Sequence, residues 1–398
     1  MLKKLLPLLS LFLFISCDFL YGTLEDISSV TNKTTYKSFS HLKNPIVISM
    51  PVHSTRYLFR NKNNNAKREK VGDIFVIIDW ETNEVYDWCF YGNSNQTVWD
   101  RPVEACQNPV RYFNPVIDKN QIIELNPNNT TVTTIPVTNI GLFYNNNTPG
   151  DYCVIDSYGW NNNTDSEEIN FRLFDCEKQT FSSNKLSQPV NCSSYISMLI
   201  PDNIGDLWFS YLFNGYAYVS KLCCSSEELI TLDLRFPCKK NTEGSNYDFS
   251  CSVLYACNSY ILLSKFQLGK GPYNDNKLYK INLNNNEVQE IDISFSEYSF
   301  LSRIVKIENT IYCIINNSDN NQKCIDICQL NEETLTLEKL NNNEKFFISY
   351  TDNLWVRDNR IYFMDSWNTK KIFYNYFDVQ TCEQGQGWTI IQEDVIKN

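Results

Sequence analysis

The stretch Asp73-Ile-Phe-Val-Ile-Ile-Asp-Trp-Glu-Thr-Asn-Glu-Val-Tyr-Asp87 reads as a strand, a short polar turn and a second strand. It has six degenerate relatives when aligned on the residue that ends its first strand. The set runs Ile74-Phe-Val-Ile-Ile-Asp79, Gln121-Ile-Ile-Glu-Leu-Asn126, Asn170-Phe-Arg-Leu-Phe-Asp175 and Glu228-Leu-Ile-Thr-Leu-Asp233. It continues with Lys277-Leu-Tyr-Lys-Ile-Asn282, Cys324-Ile-Asp-Ile-Cys-Gln329 and Phe373-Tyr-Asn-Tyr-Phe-Asp378. Successive anchors stand 47, 49, 58, 49, 47 and 49 residues apart, so only the fourth unit carries an insertion. Asp79 gives way to Asn126, Asn282 or Gln329, so the position demands a turn-forming side chain and nothing more specialised.

A second element recurs upstream in the later units: Asn214-Gly-Tyr-Ala-Tyr-Val-Ser220, Asn258-Ser-Tyr-Ile-Leu-Leu-Ser264, Asn309-Thr-Ile-Tyr-Cys-Ile-Ile-Asn316 and Asn359-Arg-Ile-Tyr-Phe-Met-Asp365. In each, an Asn makes a turn and an aromatic or β-branched strand follows. Apolar strands precede them, at 207–212, 249–255, 300–305 and 347–356. Each unit then supplies about four antiparallel strands. Their apolar runs are often continuous, as expected when both faces are covered. All-strand units of this length point to β-propeller blades rather than helical solenoids, and a two-sheet sandwich would not give even spacings.

The repeat resembles the β-propeller superfamily, and most of all the bacterial propeller lipoproteins with "I-Y-F" and "D-x-x-T-x-E-V" strands. The resemblance covers roughly residues 43 to 392. It implies an all-β propeller, most simply of seven four-stranded blades, with six or eight as alternatives. It implies no particular activity, because no Trp-Asp signature, kelch di-glycine or Asp-box stands in the chain.

Composition agrees. The 24 Phe, 24 Tyr and 8 Trp favour strands, and 42% hydrophobic residues suffice for a core. Asn clusters such as Asn145-Asn146-Asn147 and Asn341-Asn342-Asn343 fall between apolar runs, as loop filler does. The formal charge of −11 comes with no basic stripe, which makes nucleic acid an unsuitable partner.

The amino terminus reads as an address. Lys3 and Lys4 precede a largely apolar run from Leu5 to Ile15, too short to span a bilayer, so residues 1–16 form a signal peptide. The ending Phe14-Ile15-Ser16-Cys17 resembles the lipobox of bacterial lipoproteins, although Phe14 stands where Leu is usual. The resemblance implies cleavage before Cys17, acylation of that residue, and attachment to membrane lipid without a spanning helix. The alternative is an ordinary secretory signal cut further on. Residues 17–42, rich in Ser, Thr and Asn, read as a lipid-anchored tether, and 43–398 as the propeller domain. The expected location is extracytoplasmic and membrane-anchored, at the periplasmic or outer surface of a bacterial cell.

Fifteen cysteines less Cys17 leave fourteen, in keeping with an oxidising compartment. Cys251 with Cys257, Cys89 with Cys106, and Cys313 with Cys324 are the expected disulfide pairs. Cys324 and Cys328 cannot bridge on one extended strand, since four residues span about 13 Å. With no Cys-x-x-Cys, and only His41 and His53, neither a metal nor another cofactor is expected.

For function, propellers place ligands on loops at the channel mouth. Trp160, within Tyr158-Gly-Trp-Asn-Asn-Asn163, and Trp367 are candidates for stacking on a sugar ring; the plainer reading packs such rings between blades. Asp358 and Asp365 flank Ile361–Met364, and Asp151 and Asp156 flank Tyr152–Ile155. Either pair could supply rim carboxylates for a glycosidase- or lyase-like site, although turn and cap roles are commoner. Asp319, in Asn316-Asn-Ser-Asp-Asn-Asn321, suits a loop cation site or simply a solvated loop. No catalytic residue is assigned. The favoured role is a binding or assembly module for an envelope protein or a glycan. A polysaccharide-active enzyme and a purely structural envelope protein are the alternatives.

Overall fold

The computed structural model describes residues 32–43, 45–56, 67–82, 84–92, 103–107, 110–116, 119–135, 143–145, 152–161, 166–175, 180–181, 186–190, 199–238, 249–267, 277–291, 300–319, 322–340, 346–347, 354–368 and 371–391. The leader and Cys17 lie outside these residues. Among those described, the regular structure is almost wholly antiparallel strand, arranged as seven sheets in chain order.

The first sheet holds β1 (Ile46–Arg56), β2 (Lys67–Asp79) and β3 (Glu84–Gly92), and the second holds β4 (Val103–Gln107), β5 (Val110–Val116), β6 (Lys119–Leu125) and β7 (Thr130–Ile135). The third is built from β8 (Phe143–Asn145), β9 (Tyr152–Asn161), β10 (Ser166–Asp175), β11 (Thr180–Phe181) and β12 (Leu186–Val190). Next come β13 (Ile200–Pro201), β14 (Leu207–Phe213), β15 (Tyr216–Cys223) and β16 (Glu228–Pro237). The fifth sheet has β17 (Phe249–Ala256), β18 (Tyr260–Gln267), β19 (Lys277–Asn282) and β20 (Val288–Ile291). The sixth has β21 (Phe300–Ile307), β22 (Thr310–Asp319), β23 (Gln322–Asn331), β24 (Thr336–Lys339) and β25 (Phe346–Phe347). The last has β26 (Leu354–Arg357), β27 (Arg360–Asn368), β28 (Lys371–Asp378) and β29 (Glu383–Ile391). Sequential strands pair as antiparallel meanders, apart from β12 and β25, which return to β10 and β23; this is the plan of a β-propeller.

The chain divides into two compact units, residues 1–138 with 368–372 and 389–398, and residues 139–367 with 373–388. In the second unit the apolar runs face two ways. On β18, Ile261 and Leu263 enter a core shared with the fourth sheet, while Leu262 between them enters a core shared with the sixth. On β22, Ile311, Cys313 and Ile315 face the fifth sheet, whereas Tyr312 and Ile314 face the seventh. On β14, Trp208 and Leu212 pack toward the fifth sheet, and Leu207, Phe209 and Tyr211 toward the third. Period-2 side chains sandwiched between two neighbours require continuous apolar runs.

The anchor residues do turn chemistry. Asp79 Oδ1 accepts from the Glu81 amide at 2.9 Å, and Asn282 Oδ1 from the Asn284 amide at 2.9 Å. Asp378 Oδ1 accepts from Gln380 and Thr381 at 3.1 and 3.2 Å. Two anchors are displaced from the sequence alignment. In the sixth unit Gln329 is still inside β23, and Asn331 makes the turn by accepting from Glu333 and Thr334 at 3.0 Å. In the fourth, Asp233 lies mid-strand in β16. Asn214 and Gly215 take φ of 49° and 80°, the left-handed pair of a tight hairpin. At two other upstream turns the left-handed residue is Glu308 or Asp358, one place before the Asn.

Every cysteine whose side chain is described is a free thiol, and the register corrects two of the three expected pairs. Cys251 and Cys257 are not opposed across a hairpin. Cys251 pairs with Lys265 inside β17, and Cys257 follows that strand, six residues and about 20 Å further on. Cys324 stands opposite Asn317, while the residue facing Cys313 is Cys328. Cys89 and Cys106 sit on β3 and β4 of consecutive sheets, and the Cys106 side chain lies outside the description.

Residues 33–42, placed in the tether by composition, pack against the first two sheets. Phe39 is buried with Phe75, Ile77, Cys89, Ile123 and Leu125. Asp87 Oδ1 receives Lys33 Nζ at 2.6 Å and its Oδ2 receives the Lys37 amide at 2.6 Å. Lys33 also lies 4.5 Å from the Trp88 ring centroid. The Tyr36 hydroxyl donates to the Asn126 carbonyl at 2.7 Å, and the Phe39 amide to the Pro127 carbonyl at 3.0 Å. Among the described residues, contacts of this segment with the sheets are already present at Lys33.

Burial raises the Asp87 carboxyl, but the Lys33 hydrogen bond, the backbone amides and the lysine charge more than offset it, leaving it below the usual carboxylate range. A depressed folded value gives stability that is complete above the unfolded value near 4 and is lost as pH falls through the folded one. Asp87→Asn is expected to cost about 2–3 kcal/mol at pH 6, measured from urea midpoints. The gap to wild type should close as pH drops below about 4, and a gap unchanged at acid pH would contradict this account.

Candidate functional site

The backbone gives each sequence candidate a place. Trp160, expected in a loop, is the penultimate residue of β9 and pairs with Glu167. Trp367 lies in β27, as does Asp365, and the side chains of all three are outside the description. Asp358 occupies the β26–β27 turn with φ of 50° and an 84% exposed side chain, 3.8 Å from the Arg357 guanidinium. Seven residues of extended chain set Asp358 and Asp365 about 23 Å apart, so they cannot act as a catalytic carboxylate pair. Asp151 is outside the described residues, and Asp156 pairs with Phe171 in the body of β9–β10. Asp319 closes the β22–β23 hairpin opposite Gln322. No group of three His, Cys, Asp or Glu that could hold a metal occurs among the described residues.

Other polar groups gather for structural ends. Asp202 Oδ1 accepts the amides of Ile204 and Asp206 at 3.0 Å, and its Oδ2 accepts Trp208 Nε1 at 3.0 Å. Asp206 in turn takes Lys221 Nζ at 2.9 Å and the Cys224 amide at 3.1 Å. Trp208 is buried, in line with the plainer reading of the tryptophans. These acceptors are filled by the fold itself.

One cluster combines ring faces, charge and partial exposure. Tyr260 opens β18, directly after the turn that follows β17, and Tyr255 lies near the end of β17 with ring centroids 5.9 Å apart. Lys280, on the neighbouring β19, holds its ammonium 4.5 Å from the Tyr260 centroid. Glu332 comes from the β23–β24 turn of the next sheet. It receives the Tyr260 hydroxyl at 2.5 Å and lies 3.7 Å from Lys280 Nζ. The Lys280 and Glu332 side chains are 20% and 36% exposed.

Burial, then the Cys257 and Glu332 charges, push the Tyr255 phenol up to about 12. Burial and the Glu332 carboxylate push Tyr260 higher still. Both phenols stay protonated at physiological pH, so they offer donors and ring faces rather than bases. The arrangement suits recognition of a polyhydroxylated or charged ligand.

Sequence reasoning missed this cluster because its members come from two units. The repeat held the signal: Lys280 lies in β19 two residues before the Asn282 anchor and Glu332 follows Asn331, so the two flank the anchor turns of successive units.

No protein-family model matches the chain, and no curated protein matches it. Solved structures do share the fold. An acylaminoacyl peptidase from Pyrococcus horikoshii superposes with TM-score 0.50 at 13% identity, over 92% of this chain and 54% of that one. A Lactobacillus plantarum protein gives 0.50 at 8% identity, over 86% and 96%. A putative 6-phosphogluconolactonase from Bacteroides uniformis gives 0.50 at 9% identity, over 88% and 97%. The chain thus spans about half the length of the peptidase. At such identities these likenesses speak for the fold alone.

Tyr260→Phe is expected to lower stability by about 1–2 kcal/mol, the scale of a hydrogen bond to a charged acceptor. In a double-mutant cycle with Glu332→Gln, the paired change should cost little more than either single one. Full additivity in urea unfolding would mean that the two groups do not interact.

Proposed function

We propose that this protein is a lipid-anchored, extracytoplasmic β-propeller, each of its seven sheets forming one blade, that binds a glycan of the cell envelope. The observation that carries the binding reading is the Tyr255–Tyr260–Lys280–Glu332 cluster, with two protonated phenols, an ammonium and a carboxylate within one ligand's reach. A sugar presents an apolar ring face and a rim of hydroxyls, which match an aromatic platform flanked by charged hydrogen-bonding groups. The leader and Cys17 support the address. The docked strap at 33–42 leaves residues 18–32 as the connection from lipid to domain.

Two experiments test the reading separately. Metabolic labelling with palmitate should mark the wild type and spare Cys17→Ala; absence of label, or equal label on both, rejects the anchor. A glycan array probed with the soluble chain from residue 18, alongside a reducing-sugar assay, tests binding and turnover. Tyr255→Ala should weaken any glycan signal by roughly tenfold or more, as loss of an aromatic contact does. An unaltered signal removes the cluster from the binding site, and released reducing sugar would favour an enzyme instead.

A further inference from the structure

β3 is the outermost strand of the first sheet, yet its middle is closed to solvent: Asp87, Trp88, Cys89 and Phe90 are all buried. β20 and β24, which end the fifth and sixth sheets, are mostly exposed instead. The strap at 33–42 accounts for the difference. The Phe90 amide donates to the Lys33 carbonyl at 2.6 Å, and the Tyr86 hydroxyl donates to the Ser38 carbonyl at 2.8 Å. Between them, Asp87 takes Lys33 Nζ and the Lys37 amide. Residues 33–38 therefore run alongside β3, antiparallel to it, and satisfy an amide that an edge strand would leave open.

This cover is attached lightly. Residues 33–39 belong to no strand, while β1–β3 and β4–β7 pair within their own sheets. Phe39 is the one buried side chain of the strap; Lys33, Tyr36 and Leu42 are half-buried and the others are exposed. Its polar contacts converge on a single carboxylate, Asp87, and on the β6–β7 turn, where the Asn126 and Pro127 carbonyls receive the Tyr36 hydroxyl and the Phe39 amide. A segment with one apolar anchor and few shared contacts opens at a lower free energy than the sheets it lies on.

We propose that residues 33–42 form a latch that opens while both sheets beneath it stay folded. Closed is the resting state, since opening takes two donors from Asp87 at once. Closed, the domain hangs from the lipid on residues 18–32. Open, the ten residues of the strap join that connection and extend the reach of the domain by up to about 33 Å. The domain can then search for its ligand further from the membrane. This gain in reach rests on the lipid-anchored reading above; the opening itself does not.

The test is amide hydrogen exchange on the full chain at neutral pH, read by mass spectrometry at urea concentrations below the unfolding transition. Peptides carrying the Lys37 and Phe39 amides should be protected, yet exchange roughly tenfold or more faster than those of β2. Their rate should depend little on urea, because opening the strap exposes little surface. Phe39→Ala and Asp87→Asn should each speed strap exchange by roughly tenfold or more, since each removes one of its main attachments. Strap and β2 exchanging at one rate with one steep urea dependence overturns the proposal, as does a strap with no protection in the wild type. So does strap exchange that neither substitution alters. If a variant does not fold, the wild-type urea series decides alone. Absence of palmitate on Cys17 would remove the gain in reach and leave the latch, whereas coincident exchange would remove the latch and leave the anchor.

Discussion

Burial of the fourth, fifth and sixth sheets on both faces by their neighbours in sequence is the constraint on which the second unit depends. A strand rising 3.3 Å per residue turns alternate side chains to opposite faces. With a sheet on each side, neither face can be polar, and β14 reads Leu-Trp-Phe-Ser-Tyr-Leu-Phe in consequence. The one polar residue inside that run, Ser210, is fully buried and donates to the Cys251 carbonyl of the next sheet at 2.6 Å. Replacing it by an apolar residue would leave an acceptor without that donor, so even the exception follows from the packing. The covering requirement also couples stability across units. A cavity under Phe209 would loosen contacts with Phe171 of the preceding sheet, 4.9 Å away between ring centroids.

This constraint explains what could be read from the chain and what could not. The fold class was legible, because a turn residue, a two-faced apolar strand and a regular spacing are local properties repeated seven times. The chemistry of the turns was legible too: Asp79, Asn282 and Asp378 each accept an amide two residues ahead. The finer register was not. Gln329 stood in for Asn331 because both are amide side chains two residues apart, and only the backbone distinguishes a strand residue from a turn residue. Disulfide pairing failed for the same reason, since proximity in sequence said Cys251 with Cys257 while the strand carried them about 20 Å apart.

The site was less legible than the fold. Trp160 and Trp367 drew attention as aromatic residues able to stack on a sugar ring, and both turn out to lie in strands. Tyr255 and Tyr260 were unremarked among 24 tyrosines, yet they join Lys280 and Glu332 across a sheet boundary. A single-sequence reading sees neighbours within a unit. It sees contacts between units only if the repeat register is used to lay one unit upon the next.

The strap at residues 33–42 shows how a polar segment acquires a fixed place without any periodic pattern of its own. Its composition is that of a linker, with Phe39 as its one buried apolar anchor. What holds it is a set of acceptors on the sheets: Asp87 for Lys33 and the Lys37 amide, and the carbonyls of Asn126 and Pro127 for Tyr36 and Phe39. Asp87 is 5% exposed at its side chain, so its charge is tolerated only while the strap supplies these donors. Segment and domain are therefore mutually dependent: the strap has little reason to be ordered alone, and the sheet has a buried carboxylate that is costly without it.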